Sequence, residues 1–135
     1  MADDGAANEP GVVTKLSLRS VADTTARLTG ILGAKGVKLF TVIDQSAEAR
    51  QVGLELRDTT LVIFGNPAAG TPVMAASPMA ALDLPLKVLV WDDAGQTKVS
   101  YYAPAELAAR HGLGPDLEKN LAAIDVLTDA LIASA

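Results

Sequence analysis

The residue types that could do chemistry in this sequence stand mostly where predicted strands end. Phe64-Gly65-Asn66-Pro67, followed by Gly70-Thr71-Pro72, places two glycines, an amide and a hydroxyl after an apolar strand. If Thr71 caps a helix, the backbone N–H groups there could hold an anion, because a helix N-terminus carries partial positive charge. The loop has no lysine or arginine and does not match the P-loop pattern. A tight turn with an ordinary helix cap explains the same residues, so both interpretations stay open.

The only histidine is His111, which excludes a multi-histidine metal site within one chain, and we predict no metal site. His111 stands beside Gly112 at a predicted helix end, where a cationic imidazole would stabilise the last carbonyls. A structural role is therefore the simpler interpretation. Asp92-Asp93 lacks the spaced oxygens and final glutamate of a calcium loop, which favours a solvated hairpin tip.

Two large side chains, Trp91 and Met74, could line an apolar cavity. Strand alternation puts Trp91 on the face opposite Val88 and Val90, where it would cover a pocket or a dimer surface, or pack against a tyrosine across the hairpin. Met74 belongs to the segment 59–82, which has no charged residue. A flexible thioether there suits an adaptable cavity or a gap in the core.

Length and composition restrict the classes of protein that this chain could be. With 135 residues, of which 50% are hydrophobic, and no cysteine, the chain can build one core and has no disulfide or thiolate nucleophile. The net charge is −5, and Asp3, Asp4 and Glu9 supply three of those charges, which leaves −2 for residues 10–135. A body of this charge has no general attraction for nucleic acid or anionic lipid. We therefore expect neither kind of partner.

The N-terminal residues 1–10 are small and acidic, and they have neither the basic start nor the apolar run of a signal peptide. We predict a disordered acidic tail over 1–10, a single domain over 11–135 and a cytoplasmic location. The uncharged segment 59–82 is long enough to suggest a membrane span, but Pro67, Pro72 and Pro78 would break such a helix repeatedly.

The elements alternate between strands and helices. Val12 to Arg19 has a period of two, and Lys15, Ser17 and Arg19 suit its wet face. A helix follows from a Ser20 cap to Gly36. Further strands are predicted at 37–43 and 59–64, a hairpin at 86–91 and 97–101, and helices at 47–54, from Thr71, from Ser77, at 104–110 and, as a long last helix, from Gly114. A closing hairpin is antiparallel, so the fold class is α+β with a mainly antiparallel sheet of about five strands packed with helices.

Several of these segments together resemble a known family. Thr60-Leu-Val-Ile-Phe-Gly-Asn-Pro67 and Gly70-Thr-Pro-Val-Met74, with Val52 to Arg57 and Leu82 to Leu86, resemble the bacterial domain of unknown function family 302 (DUF302) over nearly the whole chain. The resemblance implies a TATA-binding-protein-like sheet-and-helix architecture and a homodimer, with no established activity. Many members have a histidine where this chain has Gln45, which puts any histidine-based family mechanism in doubt here.

Two hypotheses for function follow, from different classes. The first is a non-enzymatic homodimeric small-ligand-binding or interaction module, whose ligand would be a small molecule or anion; the cofactor, if any, is unknown. Pockets are typically apolar with a few placed polar groups, as this segment is. The second is an enzyme of unknown reaction that uses Asp44, Asn66 and His111 in one pocket. The candidate ligand-binding residues are Asp44, Phe64, Gly65, Asn66, Pro67, Gly70, Thr71, Met74, Trp91 and His111.

Overall fold

The computed structural model describes residues 9–134, and its centre is a five-stranded sheet. The predicted tail lies outside the described residues except for Glu9 and Pro10, so the tail and the domain bounds stay predictions. The strands are β1 (Val12–Ser17), β2 (Lys38–Asp44), β3 (Thr59–Gly65), β4 (Leu86–Asp93) and β5 (Gln96–Tyr102). The helices are α1 (Val21–Ala34), α2 (Gln45–Gln51), α3 (Pro67–Ala76), α4 (Pro104–His111), α5 (Pro115–Glu118) and α6 (Ala123–Ile132), with 3-10 turns at Pro78–Leu82 and Lys119–Leu121.

The sheet has the order β1-β5-β4-β3-β2, and every neighbouring pair is antiparallel. The predicted α+β class with a mainly antiparallel sheet of about five strands is therefore confirmed. Within residues 9–134, no helix is both long enough and apolar enough to cross a membrane.

The core lies between one face of the sheet and the helices α1 and α6, which pack against each other. Strand β3 buries every second side chain there, as the period of two requires, whereas the edge strand β2 has no buried side chain. The largest fully buried side chains of this core are Leu28 and Leu32 of α1, Phe64 and Val62 of β3, Val88 and Val90 of β4, Val99 of β5, and Ile124 and Leu131 of α6.

Strand β1 has the orientation opposite to the one predicted. Lys15 and Ser17 point toward the helices, whereas Leu16 is 54% exposed on the other face. Lys15 Nζ donates hydrogen bonds to Thr128 Oγ1 and Asp129 Oδ1, both at 2.7 Å. The wet-face prediction was wrong because a lysine buries its alkyl stem while its ammonium reaches a polar partner.

Three helices also differ from the prediction, and the first is α2, which was predicted at 47–54 and spans Gln45–Gln51. Helix α3 begins at Pro67, because Asn66 Oδ1 accepts a hydrogen bond from the Ala68 N–H at 3.0 Å, so Thr71 lies inside the helix and does not cap it. The predicted long last helix is broken into α5, a 3-10 turn and α6. Ser20 and Gly112 cap the helices α1 and α4 as predicted.

Candidate functional site

A cavity of about 350 Å³ lies where α3 crosses the end of the sheet. Its walls come from β2, the end of β3, helix α3, the segment that leads into β4, and the start of α6. The lining residues are Val37, Phe40, Phe64, Gly65, Asn66, Pro67, Ala69, Gly70, Thr71, Met74, Leu84, Pro85, Leu86, Asn120, Leu121, Ala123 and Leu127. None of these side chains is ionisable, and most are apolar.

Helix α3 forms one wall, and buried contacts hold it in place. Val73 is fully buried in a second, smaller cluster with Ala80, Leu107 and Leu121. Asn120 Nδ2 also donates a 3.0 Å hydrogen bond to the Ala69 carbonyl, which joins the 3-10 turn before α6 to the middle of α3. The cavity wall is therefore anchored by both apolar packing and a hydrogen bond.

The N-terminus of α3 does not supply an anion site. Pro67 has no N–H, and the Ala68 N–H donates to the Asn66 side chain. The N–H groups of Ala69 and Gly70 both donate to the Asn66 carbonyl at 2.9 Å. The first donors of the helix are thus engaged within the chain, so the geometry does not favour an anion there.

A family model and two kinds of relative establish what this chain is similar to. The model described as "Domain of unknown function DUF302" matches residues 13–131. The chain belongs to the DUF302 family. A crystal structure of an uncharacterised conserved DUF302 protein from Bacillus stearothermophilus has the same fold, with a TM-score of 0.77 at 20% identity over 92% of this chain and 97% of that one.

Curated relatives of this DUF302 chain carry a channel name. "Fluoride-specific ion channel FluC 1" of Brucella suis is 41% identical over 107 residues, which is 78% of this chain and 42% of that protein. "Fluoride-specific ion channel FluC 2" of Brucella melitensis is 41% identical over the same length, 40% of that protein. This DUF302 chain therefore spans less than half the length of these relatives.

The structure brings seven of the ten predicted site residues of this DUF302 chain to one cavity. These are Phe64, Gly65, Asn66, Pro67, Gly70, Thr71 and Met74. Residues from distant segments complete the lining, among them Phe40, Leu86 and Asn120. No local pattern marks these three residues, because they reach the cavity only through the tertiary packing of β2, β4 and the 3-10 turn.

Asp44 lies far from this cavity and caps α2. Its Oδ1 accepts hydrogen bonds from Ser46 Oγ at 2.7 Å and the Ala47 N–H at 2.9 Å, which hold the pKa of Asp44 below its usual value. Asp44 pairs with Thr60 at one end of β3, whereas Asn66 follows the other end. About six residues of strand, or roughly 20 Å, separate the two side chains.

His111 also lies outside the cavity, in a cluster that joins α4 to the 3-10 turn at 78–82. Its Nε2 lies 2.6 Å from Asp83 Oδ2, and Arg110 Nη1 donates to both oxygens of Asp83 at 3.0 and 3.1 Å. The structure therefore does not bring Asp44, Asn66 and His111 together in one cavity, as the enzyme hypothesis required. His111 contacts the Asp83 carboxylate, and its predicted contact with the last carbonyls of the helix is not among the hydrogen bonds of residues 9–134.

The Asp83 cluster makes the stability of the domain depend on pH. Burial tends to raise the pKa of Asp83, but hydrogen bonds and charges from His111 and Arg110 outweigh it and lower that pKa below its usual value. The stabilisation is then present above the pKa of the unfolded chain and is lost as the pH falls through the folded pKa, below about pH 4. We expect Asp83→Asn to lower the free energy of unfolding by about 1–2 kcal/mol at pH 7. Urea denaturation at pH 7 and pH 3 measures this.

The exposed Asp116 of α5 provides the control, because Asp116→Asn removes a carboxylate of the same kind outside the cluster. The difference in the free energy of unfolding between wild type and Asp83→Asn should be smaller at pH 3 than at pH 7. Asp116→Asn should have nearly the same free energy of unfolding as wild type at both pH values. A gap that is equally large at pH 3 would contradict the role of the ionised Asp83.

Trp91 lies on the opposite face of the sheet from the helices, as predicted, and so does not line the cavity. Its cross-strand partner is Lys98 and not a tyrosine, because Tyr101 points into the core. The indole Nε1 donates to Ser100 Oγ at 3.0 Å. Trp91 borders a separate depression of about 260 Å³ with Leu61 and Leu89.

Proposed function

We propose that this DUF302 domain is a small-ligand-binding module whose site is the 350 Å³ cavity beside α3. The observation that carries the proposal is the cavity itself, whose volume falls within the ordinary range for ligand sites, roughly 300–1,000 Å³. Apolar walls with a few amides and one hydroxyl match the usual chemistry of such sites. General acid–base catalysis needs a titratable side chain, and none lines this cavity, which favours binding over catalysis.

Filling the cavity should abolish binding without unfolding the protein. Ala69→Phe places a ring in the cavity from α3, and we expect it to weaken binding of an uncharged aromatic probe, naphthalene, at least about tenfold. Fluorescence titration with naphthalene measures the affinity, after native mass spectrometry has tested for a co-purified molecule.

Ala75→Phe is the matched control, because Ala75 lies on the same helix, is exposed and does not line the cavity. This variant should bind naphthalene like wild type. Equal affinity in wild type and both variants would place any binding elsewhere, and absence of saturable binding by any small uncharged probe would overturn the proposal.

The same proposal includes a homodimer that forms through the sheet face opposite the helices. Leu16 is 54% exposed on this face, and Leu61, Ile63 and Leu89 are half-buried there, while α1 and α6 both cover the other face. Five strands of about seven residues make a face of roughly 24 by 23 Å, or about 1,100 Å² from two copies. That area lies near the lower limit for a specific interface, and a twofold contact joins identical patches.

The apolar pattern of the sequence offers two segments for the dimer contact, Phe40 to Val42 and Leu89 to Trp91, and this geometry favours Leu89 to Trp91. Val42 pairs with Val62 and so belongs to the helix side of the sheet edge, and Phe40 borders the ligand cavity. Leu89 lies near the middle of the open face, in a central strand.

Leu89→Glu should therefore convert a dimer into a monomer. A carboxylate in the middle of an apolar contact loses its hydration without gaining a partner, and the twofold axis would bring two such charges together. Light scattering after size exclusion should give twice the mass of one chain for wild type and the mass of a single chain for the variant. Leu82→Glu is the control, because Leu82 is 77% exposed on the 3-10 turn. A single-chain mass for wild type would overturn the dimer, and a dimeric Leu89→Glu would overturn this face.

The curated relatives favour a second candidate, an accessory module that works beside a fluoride channel. Three proteins with that channel name contain a segment 41% identical to 78% of this chain, while the segment accounts for only 40–42% of their length. Tagged DUF302 protein should then co-purify with a Brucella channel from which the matched segment has been deleted. Failure to retain the channel under conditions where the full-length relative stays intact would count against this candidate.

A further inference from the structure

We infer that the cavity beside α3 selects an uncharged ligand, with an apolar body and one hydrogen-bonding head such as a carboxamide or hydroxyl. The inference rests on the proposed binding function and adds the chemical class of the ligand. The cavity should bind such a ligand more tightly than a carboxylate or an ammonium ion with the same apolar body.

The apolar part of the cavity determines the chemistry and the size of the ligand's body. Aromatic and branched aliphatic surface comes from three strands, the 3-10 turn and α6, through Phe40, Phe64, Leu86, Leu121 and Leu127. A dry cavity of about 150 Å³ with similar walls holds benzene. A cavity of about 350 Å³ therefore accommodates a body of roughly eight or more carbon atoms.

Two asparagine side chains on the cavity wall determine which head group the ligand needs. Asn120 Nδ2 donates to the Ala69 carbonyl, which fixes the amide and leaves Oδ1 as an acceptor with no donor among residues 9–134. In Asn66 the oxygen is the atom that is engaged: its Oδ1 accepts a hydrogen bond from the Ala68 N–H, and its Nδ2 remains available as a donor. A carboxamide is an uncharged head that can donate to the Asn120 acceptor or accept from the Asn66 donor, and it therefore matches the chemistry of this pair.

Charged heads find no compensation in the same cavity. No lining side chain carries a charge, and the first N–H groups of α3 are already engaged. Two basic groups lie next to the wall: Lys38 Nζ is 4.9 Å from the centroid of the Phe40 ring. Lys87 Nζ donates to the Pro85 carbonyl at 3.3 Å, and its side chain lines the separate depression on the open face of the sheet. Lys38 is exposed, so water and salt screen its charge. A buried ion without a partner loses more hydration than it regains.

Three ligands with one alkyl chain test the inference: octanamide, octanoate and octylammonium. Isothermal titration at pH 7.5 should give octanamide an affinity at least about tenfold higher than either ion. Octanoate or octylammonium binding as tightly as octanamide would overturn the inference and leave the binding function intact. If none of the three binds and naphthalene also fails, the binding function itself is wrong.

Asn120→Leu tests the head-group contact, because it removes the Oδ1 acceptor while it keeps a side chain of similar size. It also removes the Nδ2 donor to the Ala69 carbonyl, so binding of a ligand without a hydrogen-bonding group serves as the control for the wall. We expect octanamide affinity to fall at least about fivefold while affinity for toluene, which has no hydrogen-bonding group, stays the same. Circular dichroism confirms that the variant is folded. Unchanged octanamide affinity would overturn the role of Asn120, and parallel loss of both ligands would show that the variant only damages the wall.

Discussion

Val62→Asp should yield no folded protein. Val62 is fully buried in β3 and is paired on both sides, with Val42 of β2 and Val88 of β4. A carboxylate there has no partner, and burial of an unpaired charge costs several kcal/mol even after the protein relaxes. The total stability of a domain of this size is about 5–15 kcal/mol, so this one substitution removes most or all of it. Circular dichroism and thermal melting measure the result.

Val126→Asp controls for the chemistry of the change, because Val126 lies on the outer side of α6 and is 64% exposed. This variant should melt within a few degrees of wild type. A cooperative melting transition for Val62→Asp near that of wild type would contradict the central position of β3.

Phe64→Ala should destabilise the domain by about 3–5 kcal/mol, since truncation of a buried ring leaves a cavity as well as losing apolar contacts. Phe64 is 1% exposed, and it belongs both to the core and to the lining of the cavity beside α3. Urea denaturation monitored by Trp91 fluorescence gives the free energy of unfolding.

Phe40→Ala separates these two roles, because Phe40 also borders the cavity but is 44% exposed. Its truncation should cost no more than about 1 kcal/mol, mainly through lost contact with Lys38 and Gly65. Similar losses for both variants would show that Phe64 does not belong to the core.

Local patterns predicted the elements of this fold well where one residue type has one structural consequence. The alternation in β3, the Ser20 cap and the positive φ of 65° at Gly112 are of this kind. The predictions failed where two residues compete for one role. Asn66 and Thr71 are both good N-cap residues, and each is followed by a proline that suits the first turn of a helix. The sequence alone therefore does not decide between them, and in the structure Asn66 is the N-cap of α3.

The candidate site was predictable only along one contiguous stretch. Residues 64–74 share a strand end and a helix, so their proximity follows from the chain itself. Asn120 and Phe40 arrive from elements that are distant in the sequence, and nothing local marks them. Asp44 was misplaced because β2 and β3 are antiparallel, so the residues that follow these two strands lie at opposite ends of the sheet. His111 was misplaced because the position of the C-terminus of α4 relative to the sheet is set by tertiary packing.

The basic side chains of β1 and α1 have a consequence for how the chain folds as it is made. Lys15 binds Asp129 across 114 residues, and Arg27 donates to the carbonyls of Ala130 and Leu131. Lys15 and Arg27 therefore make these contacts only after α6 has been synthesised, although β1 pairs with β5, and α1 packs against β2, β3 and β4, which come earlier in the chain. Contacts of such long sequence separation slow folding, and until α6 is made the part of the sheet face around Tyr101 that it covers is exposed to other chains in the cell. Translation speed and chaperone supply should therefore affect the yield of the domain.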